Sequence, residues 1–421
     1  MAEHTTTTMD GLFKEIYGES LENLVCDEVS LADEMKFVSA EQQLGGHYNQ
    51  PVRLSRSHGW TIAGSSGGAY ALNAAEPCVS KNAVIQGTSF TIREAIGYPE
   101  VAKLLKTKGE SQKRAFVSAT SYLVESMTES ARFVREISLL YGTSSIGTWS
   151  SRTSGGGTGT QLMVITTGTF IPALWAGLEQ GYVDVYSSGG TKRNAANTIQ
   201  VTAVDVTTRT VTLVGNSAEL DAITTGDLFY LRGCKANGMT GMVTIAANTG
   251  TLWTIPGASW SLFQGNTHAA GSAALTFSLV MKALNRPINR GMRGRYLLYV
   301  SPKSWTDTNN DLSALRRYAD KAGGKVEQGN EFIGYYSQSG AIEIRPHLYM
   351  MPSIALGFPA GKVKRIGSTD LTFSLPGSSQ NFFTELPDNA GYQLKAYWDQ
   401  APFTTAVKDC LLITGIVNSD D

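Results

Sequence analysis

Between Gly109 and Gly142, the residues Phe116, Ala119, Leu123, Met127, Ala131, Val134, Ile137 and Tyr141 follow one another at steps of three or four. That spacing predicts one apolar stripe along a single helix of roughly thirty residues, about 45 Å long. Glu110, Lys113, Arg114, Glu125, Glu129, Arg132 and Glu136 fall largely off the stripe. A helix this long with one narrow apolar face suits a strut across a flat subunit better than the centre of a bundle. Taken alone, the stripe reads equally well as an ordinary core helix.

The segment before it tips the balance. From Tyr48 to Ile92 the chain reads as two extended arms around a flexible tip, where Gly64, Gly67 and Gly68 supply the permissive backbone. The arms are polar and Ser-rich, with no clear apolar alternation. A hairpin with so little to bury is not stable alone and must lie on its own body or on a neighbour. Further upstream, Leu12, Phe13, Ile16, Tyr17, Leu21 and Leu24 recur at helical spacing, and Asp10 is placed to cap that short helix.

Composition points the same way. The 421 residues suggest two to four structural units, and 42% hydrophobic content excludes intrinsic disorder. Lys+Arg 35 against Asp+Glu 36 excludes a protein that holds nucleic acid by bulk charge. Only 17% of residues are charged, against a usual value of about 25%. A charge-poor surface fits a chain buried against partners, because obligate interfaces deplete charge. Cys26, Cys78, Cys234 and Cys410 are scattered, with no CxxC pair, and fit free thiols in a reducing compartment better than two disulfides. No secretory signal or membrane-length apolar run is visible, so a soluble cytoplasmic product is expected.

After the long helix, SSRTSGGGTGTQ reads as a flexible connection, QLMVITTGTF as a strand and IPALWAGLEQGYVDVYS as helix into strand. Residues 195–270 are rich in Thr, Val, Gly and Asn, with a hairpin around Thr207–Arg209 and short strands at DLFYLRG, GMVTIAA and TLWTIPG. They predict a compact all-β insertion, such as a small barrel. A mixed pattern then resumes with helix SAALTFSLVMKALN, strand RYLLYVS, helix SPKSWTDTNNDLSALRRYAD and strand AIEIRPHLYM. The segment GYQLKAYWDQAPFTTAVKDCLLITGI reads as an alternating strand pair.

Several chemical motifs fail on context. Gly64-Ser65-Ser66-Gly67-Gly68 satisfies G-x-S-x-G, but no hydrophobic strand precedes Ser66 as a nucleophile elbow requires. His4, His47, His58, His268 and His347 show no metal-ligand spacing. SGGGTG at 154–159 lacks the lysine of a phosphate loop and the strand of a dinucleotide fingerprint, so it reads as a linker. Trp175, Trp253, Trp260 and Trp398 sit among apolar neighbours and read as core. Arg286, Arg290, Arg293 and Arg295 form the densest basic patch, which suits phosphate contact, a subunit boundary or a plain solvated loop. No aromatics interleave with it, which argues against base stacking. No catalytic residue, cofactor site or metal site emerges, so a non-enzymatic structural subunit is expected.

The order of elements, with SHGWTIA, VSPKSW, YYSQSGAIEIRPHLYM and QLKAYWDQAPFTTAVKDCLLITGI as the closest segments, resembles the major capsid protein of tailed phages, the Hong-Kong-97-like family. The resemblance implies an α+β fold in named parts. These are an N-terminal arm and helix (1–47), an extended loop (48–92), and a peripheral domain with the spine helix (93–144 and 391–421). An axial domain (145–194 and 271–390) and a β-rich insertion domain (195–270) complete it. It further implies self-assembly through hexamers and pentamers into an icosahedral shell around double-stranded DNA. That DNA would be held by non-specific contact, with no membrane. The shell would form in the host cytoplasm and become part of the virion.

Subunit contacts are then expected at Arg53, Arg56, Trp60, Gly64, Gly67, Gly68 and Tyr70 of the loop, and at Glu125, Glu129 and Arg132 of the helix. The Arg286–Arg295 patch would face a neighbour or DNA. The stretch from Arg56 to Ala75 has no lysine, the nearest being Lys81, which puts loop cross-linking in doubt. The N-terminus lacks a long charged helix of the fused-scaffold kind, so separate scaffold, portal and decoration proteins are the expected partners. Alternatives are an encapsulin-type compartment, a hydrolase using Ser66 and a carbohydrate-binding adhesin built on 195–270.

Overall fold

A computed structural model describes residues 30–39, 43–44, 47–58, 78–97, 110–155, 159–311, 333–337, 340–373, 383–385 and 391–420. The expected N-terminal helix at 10–25, Ser66 and the loop tip lie outside the described residues.

The described chain starts with a short helix, α1 (Ser30–Glu34), and a strand, β1 (Lys36–Ser39). Strands β2 (Gln43–Leu44), β3 (His47–Arg53) and β4 (Ser80–Gln86) then form an antiparallel ribbon, and β5 (Thr88–Gly97) continues from it. The β3/β4 register runs from His47 opposite Gln86 to Arg53 opposite Ser80. The arms carry more apolar alternation than their composition suggests. Tyr48, Val52, Ala83 and Ile85 are all buried, so the base of the ribbon is seated on the body.

Helix α2 (Glu110–Leu140) has 31 residues and is about 45 Å long. Leu123, Met127, Ala131, Ile137 and Tyr141 of the stripe are buried, while Val134 is half-buried. The last turns depart from the narrow-faced strut, because every residue from Arg135 to Gly142 is buried. Gly142 ends the helix at φ +54°, where a Cβ would lie 2.0 Å from the carbonyl oxygen of Met239. Only glycine lets the 238–242 segment approach the helix end so closely.

Six strands then close into an antiparallel barrel: β6 (Gly147–Gly155), β7 (Thr160–Ile165), β8 (Tyr182–Tyr186), β9 (Ile199–Asp205), β10 (Thr210–Val214) and β11 (Leu228–Leu231). Between them lie the short helices α3 (Pro172–Gly177) and α4 (Ser217–Asp221). Alternate residues point inward, among them Met163, Ile165, Val183, Val185, Val211, Leu213 and Phe229, all buried. Trp175 of α3 packs edge-on against Phe229 at 5.5 Å.

The barrel alters the expected boundaries. It occupies 147–231 rather than 195–270, because three strands from the later segment cannot close without β6, β7 and β8. Of the stretch expected as a linker, Ser154 and Gly155 are the last residues of β6, paired with Leu162 and Gln161 of β7. An adhesin built on 195–270 alone therefore has no complete folding unit.

After the barrel come α5 (Cys234–Asn237), α6 (Met242–Ala247), the hairpin β12 (Thr251–Leu252) and β13 (Ile255–Pro256), and β14 (Asn266–Ala269). The GMVTIAA segment, expected as a strand, is helix α6. Met242, Ile245 and Ala246 give it a buried face at helical spacing that outweighs its β-branched content.

A six-stranded mixed sheet is ordered β14, β22 (Leu411–Thr414), β18 (Ile354–Pro359), β15 (Tyr296–Val300), β17 (Gly340–Pro346) and β16 (Ile333–Ser337). Strand β15 is buried on both faces. Tyr296, Leu298 and Val300 meet Val280, Ala283 and Leu284 of helix α7 (Phe277–Asn289). Leu297 and Tyr299 face the large core shared with the end of α2. Ser301 caps helix α8 (Pro302–Asn310), accepting from the Ser304 N–H.

The second large sheet is ordered β1, β19 (Val363–Thr372), β21 (Gly391–Thr404) and β20 (Phe383–Glu385), with β5 also pairing along β21. Met127 of α2 packs on Leu394 and Ala396 of β21. The expected C-terminal strand pair is thus divided. Strand β21 joins the sheet under α2, and β22 joins the six-stranded sheet, each paired elsewhere. Strands β19 and β20, expected in the axial part, also lie in the sheet under α2.

Candidate assembly interface

Helix α2 holds the start of the described chain through one carboxylate. Glu136, fully buried despite its expected place off the stripe, accepts from the Leu31 N–H at 2.8 Å and the Ala32 N–H at 3.1 Å. These are orphan donors at the start of α1, capped here by a side chain 105 residues away. His347 Nδ1 accepts from the Tyr349 N–H at 3.1 Å, so Nε2 carries the ring proton and donates to Glu136 at 2.9 Å. Tyr141 adds a second tie, donating to the Tyr349 carbonyl at 2.7 Å and accepting from Met351 N–H at 2.9 Å. Burial raises the Tyr141 phenol well above its ordinary value.

Beside this clasp, Arg365 of β19 ties the α1–β1 junction to β21. Its Nε donates to the Met35 carbonyl at 2.9 Å, and Nη1 donates to Asp370 at 2.8 Å and Gln400 at 2.9 Å. Arg135 reaches Asp370 from the helix at 3.3 Å. Burial alone would raise Asp370, but the bonds from Arg365 and the Leu371 N–H hold its carboxyl below the usual range. Burial, and then the like charge of Arg365, lower Arg135. None of this was legible as a site. Arg135 and Glu136 look like surface charges flanking a stripe residue, and their burial comes from elements more than a hundred residues away.

The ribbon carries the expected loop contacts. Arg53 and Arg56 are exposed, and Arg53 Nε donates to the Ser55 carbonyl at 3.0 Å. Trp60, Gly64, Gly67, Gly68 and Tyr70 lie outside the described residues. Past the last strand pair, backbone pairing continues from Leu54 N–H to the Val79 carbonyl at 2.8 Å. Cover from the body does not continue, since Arg56, Ser57 and His58 on one arm and Cys78 to Asn82 on the other are exposed. On α2, Glu125 is exposed while Glu129 and Arg132 are half-buried.

The basic patch divides. Arg295 grips Glu343 with both ends of its fork, at 2.5 and 2.8 Å, and Arg345 reaches the same carboxylate at 2.9 Å. The Arg295 and Arg345 bonds hold Glu343 below the usual range against some burial. Arg295 is therefore neutralised and leaves the patch. Arg286 donates to the Thr267 carbonyl, and Arg290 donates to the carbonyls of Gln264 at 3.0 Å and Gly265 at 3.2 Å. Arg293 is exposed in the turn after α7.

Two clefts indent the described surface. One of about 390 Å³ lies between the barrel and the start of α8, walled by Phe170, Pro172, Val206 and Met350, with Arg209 and Lys303 at its edge. The other, about 360 Å³, lies at the base of the ribbon, where Phe90 stacks on Trp398 at 5.2 Å and burial pushes up the Cys234 thiol. Neither joins a nucleophile to a base. Among the described residues, no group of three His, Cys, Asp or Glu side chains could hold a metal ion, and no helix is long and apolar enough to cross a membrane.

No family model matches the sequence, and no curated protein does. By structure the chain is similar to the capsid of cyanophage P-SCSP1u, at 11% identity and a TM-score of 0.48, covering 98% of this chain and 95% of that one. It is also similar to the cyanophage A-1(L) capsid, at 12% identity and a TM-score of 0.49, covering 99% and 100%. An encapsulin from Synechococcus elongatus PCC 7942 matches at 9% identity and a TM-score of 0.41, covering 99% and 96%.

Proposed function

We propose that this chain is the major capsid protein of a tailed phage, with the Hong-Kong-97-like architecture, and that it works by self-assembly rather than catalysis. The observation that carries the reading is the ribbon. Its last described backbone pairing joins Leu54 and Ser55 to Val79, while Arg53 and Arg56 to His58 on one arm and Cys78 to Asn82 on the other are exposed. The ribbon is seated on the body only at its base, and two exposed arms are marginal in water, so a surface outside the subunit would cover their outer part. On the outward side of α2, the exposed Glu125 would offer a carboxylate to Arg53 or Arg56 of a neighbour's ribbon. Hexamers and pentamers would repeat that contact, and each copy held by several neighbours gains effective concentration from all of them. DNA inside the shell, and separate scaffold, portal and decoration proteins, complete the proposal.

Negative-stain microscopy and sedimentation of the purified full-length chain test it. Closed shells, or rings of five and six, support the reading. A monomer at every concentration, with or without co-expressed scaffold, overturns it. An encapsulin-type shell would show the same particles but co-purify with a protein cargo instead of nucleic acid.

A further inference from the structure

We infer that the outer face of helix α7 is a seat for the phosphate backbone of double-stranded nucleic acid, formed by Lys282, Arg286 and Arg290 and extended by Arg293. The inference rests on the shell reading and assigns a ligand to one of its faces. Lys282, Arg286 and Arg290 are spaced i, i+4 and i+8, so they share one face of the helix and its C-cap, about 6 Å apart along the axis. Each strand of a duplex carries one phosphate per 3.4 Å of axis, which puts a cation near every second phosphate.

The cations are fixed without being neutralised. Arg286 and Arg290 donate to backbone carbonyls, which orient the guanidinium groups but carry no net charge. Asp409, next to Lys408, is buried and already bound by Lys362 at 3.4 Å and Lys408 at 3.1 Å. Helix α7 itself has no Asp or Glu in a chain whose totals nearly balance. Lys408 also donates to the Arg290 carbonyl at 2.7 Å, which fixes the end of the row. His268 lies against the same face. Its imidazole is lowered by burial and then by the charges of Arg286 and Lys282, as expected where positive charge accumulates.

The surroundings select the partner. No large apolar side chain is exposed on the described residues 277–293, whereas a protein interface of ordinary strength needs an apolar centre. No aromatic residue occurs among the cations to stack on splayed bases, so a duplex backbone fits better than a single strand.

The test uses the full-length chain below its assembly concentration and a fluorescent 30-base-pair duplex of mixed sequence, read by anisotropy between 50 and 200 mM salt. Four phosphate contacts predict an affinity loss of about 150-fold across that range. The triple variant K282Q/R286Q/R293Q should lose most binding at 50 mM salt, and its loss across the range should shrink to about 4-fold. A control with as many cations removed elsewhere, K36Q/K81Q/R232Q, should bind like the parent, and circular dichroism should show all three folded. Equal binding by the triple variant and the parent overturns the inference, as does binding of polyglutamate in place of the duplex, which would make this face a contact for acidic protein. Because the chain is unassembled throughout, failure here leaves the shell proposal standing, and failure to form shells leaves this measurement intact.

Discussion

Glu136 shows how one side chain can decide the state of a distant segment. Removing it by Glu136→Ala leaves His347 Nε2–H and two α1 backbone donors buried without acceptors. Each buried donor left without an acceptor costs about 1–3 kcal/mol. The expected outcome is a large fall in the urea midpoint together with proteolytic release of the segment around Ser30. Asp370 makes a pH prediction of definite sign. Its folded pKa lies below its unfolded one, so its stabilisation is complete above the usual carboxylate value of about 4 and is lost as pH falls through the folded value. Melting temperatures measured from pH 7 to pH 3 should therefore fall less steeply for Asp370→Asn, which should match the parent at the acid end and melt lower at neutral pH.

At the scale of elements, α2 was the most legible feature, because its apolar period is sustained over many turns and a glycine, Gly142, marks its end. Met127→Ala should cost about 2–5 kcal/mol by opening space against Leu394 and Ala396, as read from thermal or urea unfolding. Gly142→Ala should cost more than about 1 kcal/mol, since the residue sits at positive φ and its new Cβ would strike the Met239 carbonyl. The barrel was half legible. Its strands 199–205 and 210–214 announced themselves by alternation and a turn, but nothing local says that they must close with residues near 150. Sheet partners are chosen by closure and burial, which a single segment does not encode. The clasp was illegible for the same reason, because its charged residues look solvated until two other elements cover them.

At the scale of the molecule, two large sheets and a barrel share the long helix, and the ribbon leaves them at one point. Replacing residues 57–78 with a two-residue Asn-Gly turn should leave the melting temperature within about 2 °C of the parent, since no described core side chain is removed, while abolishing shells and rings under the microscope. Strand β5, which seats the ribbon, pairs along its whole length with β21, three hundred residues later in the chain. During synthesis the early strand therefore has nowhere to dock until almost everything else has left the ribosome. Under the assembly proposal, newly made chains still on the same message would be kept from joining one another, and the arm would become usable only on a finished subunit.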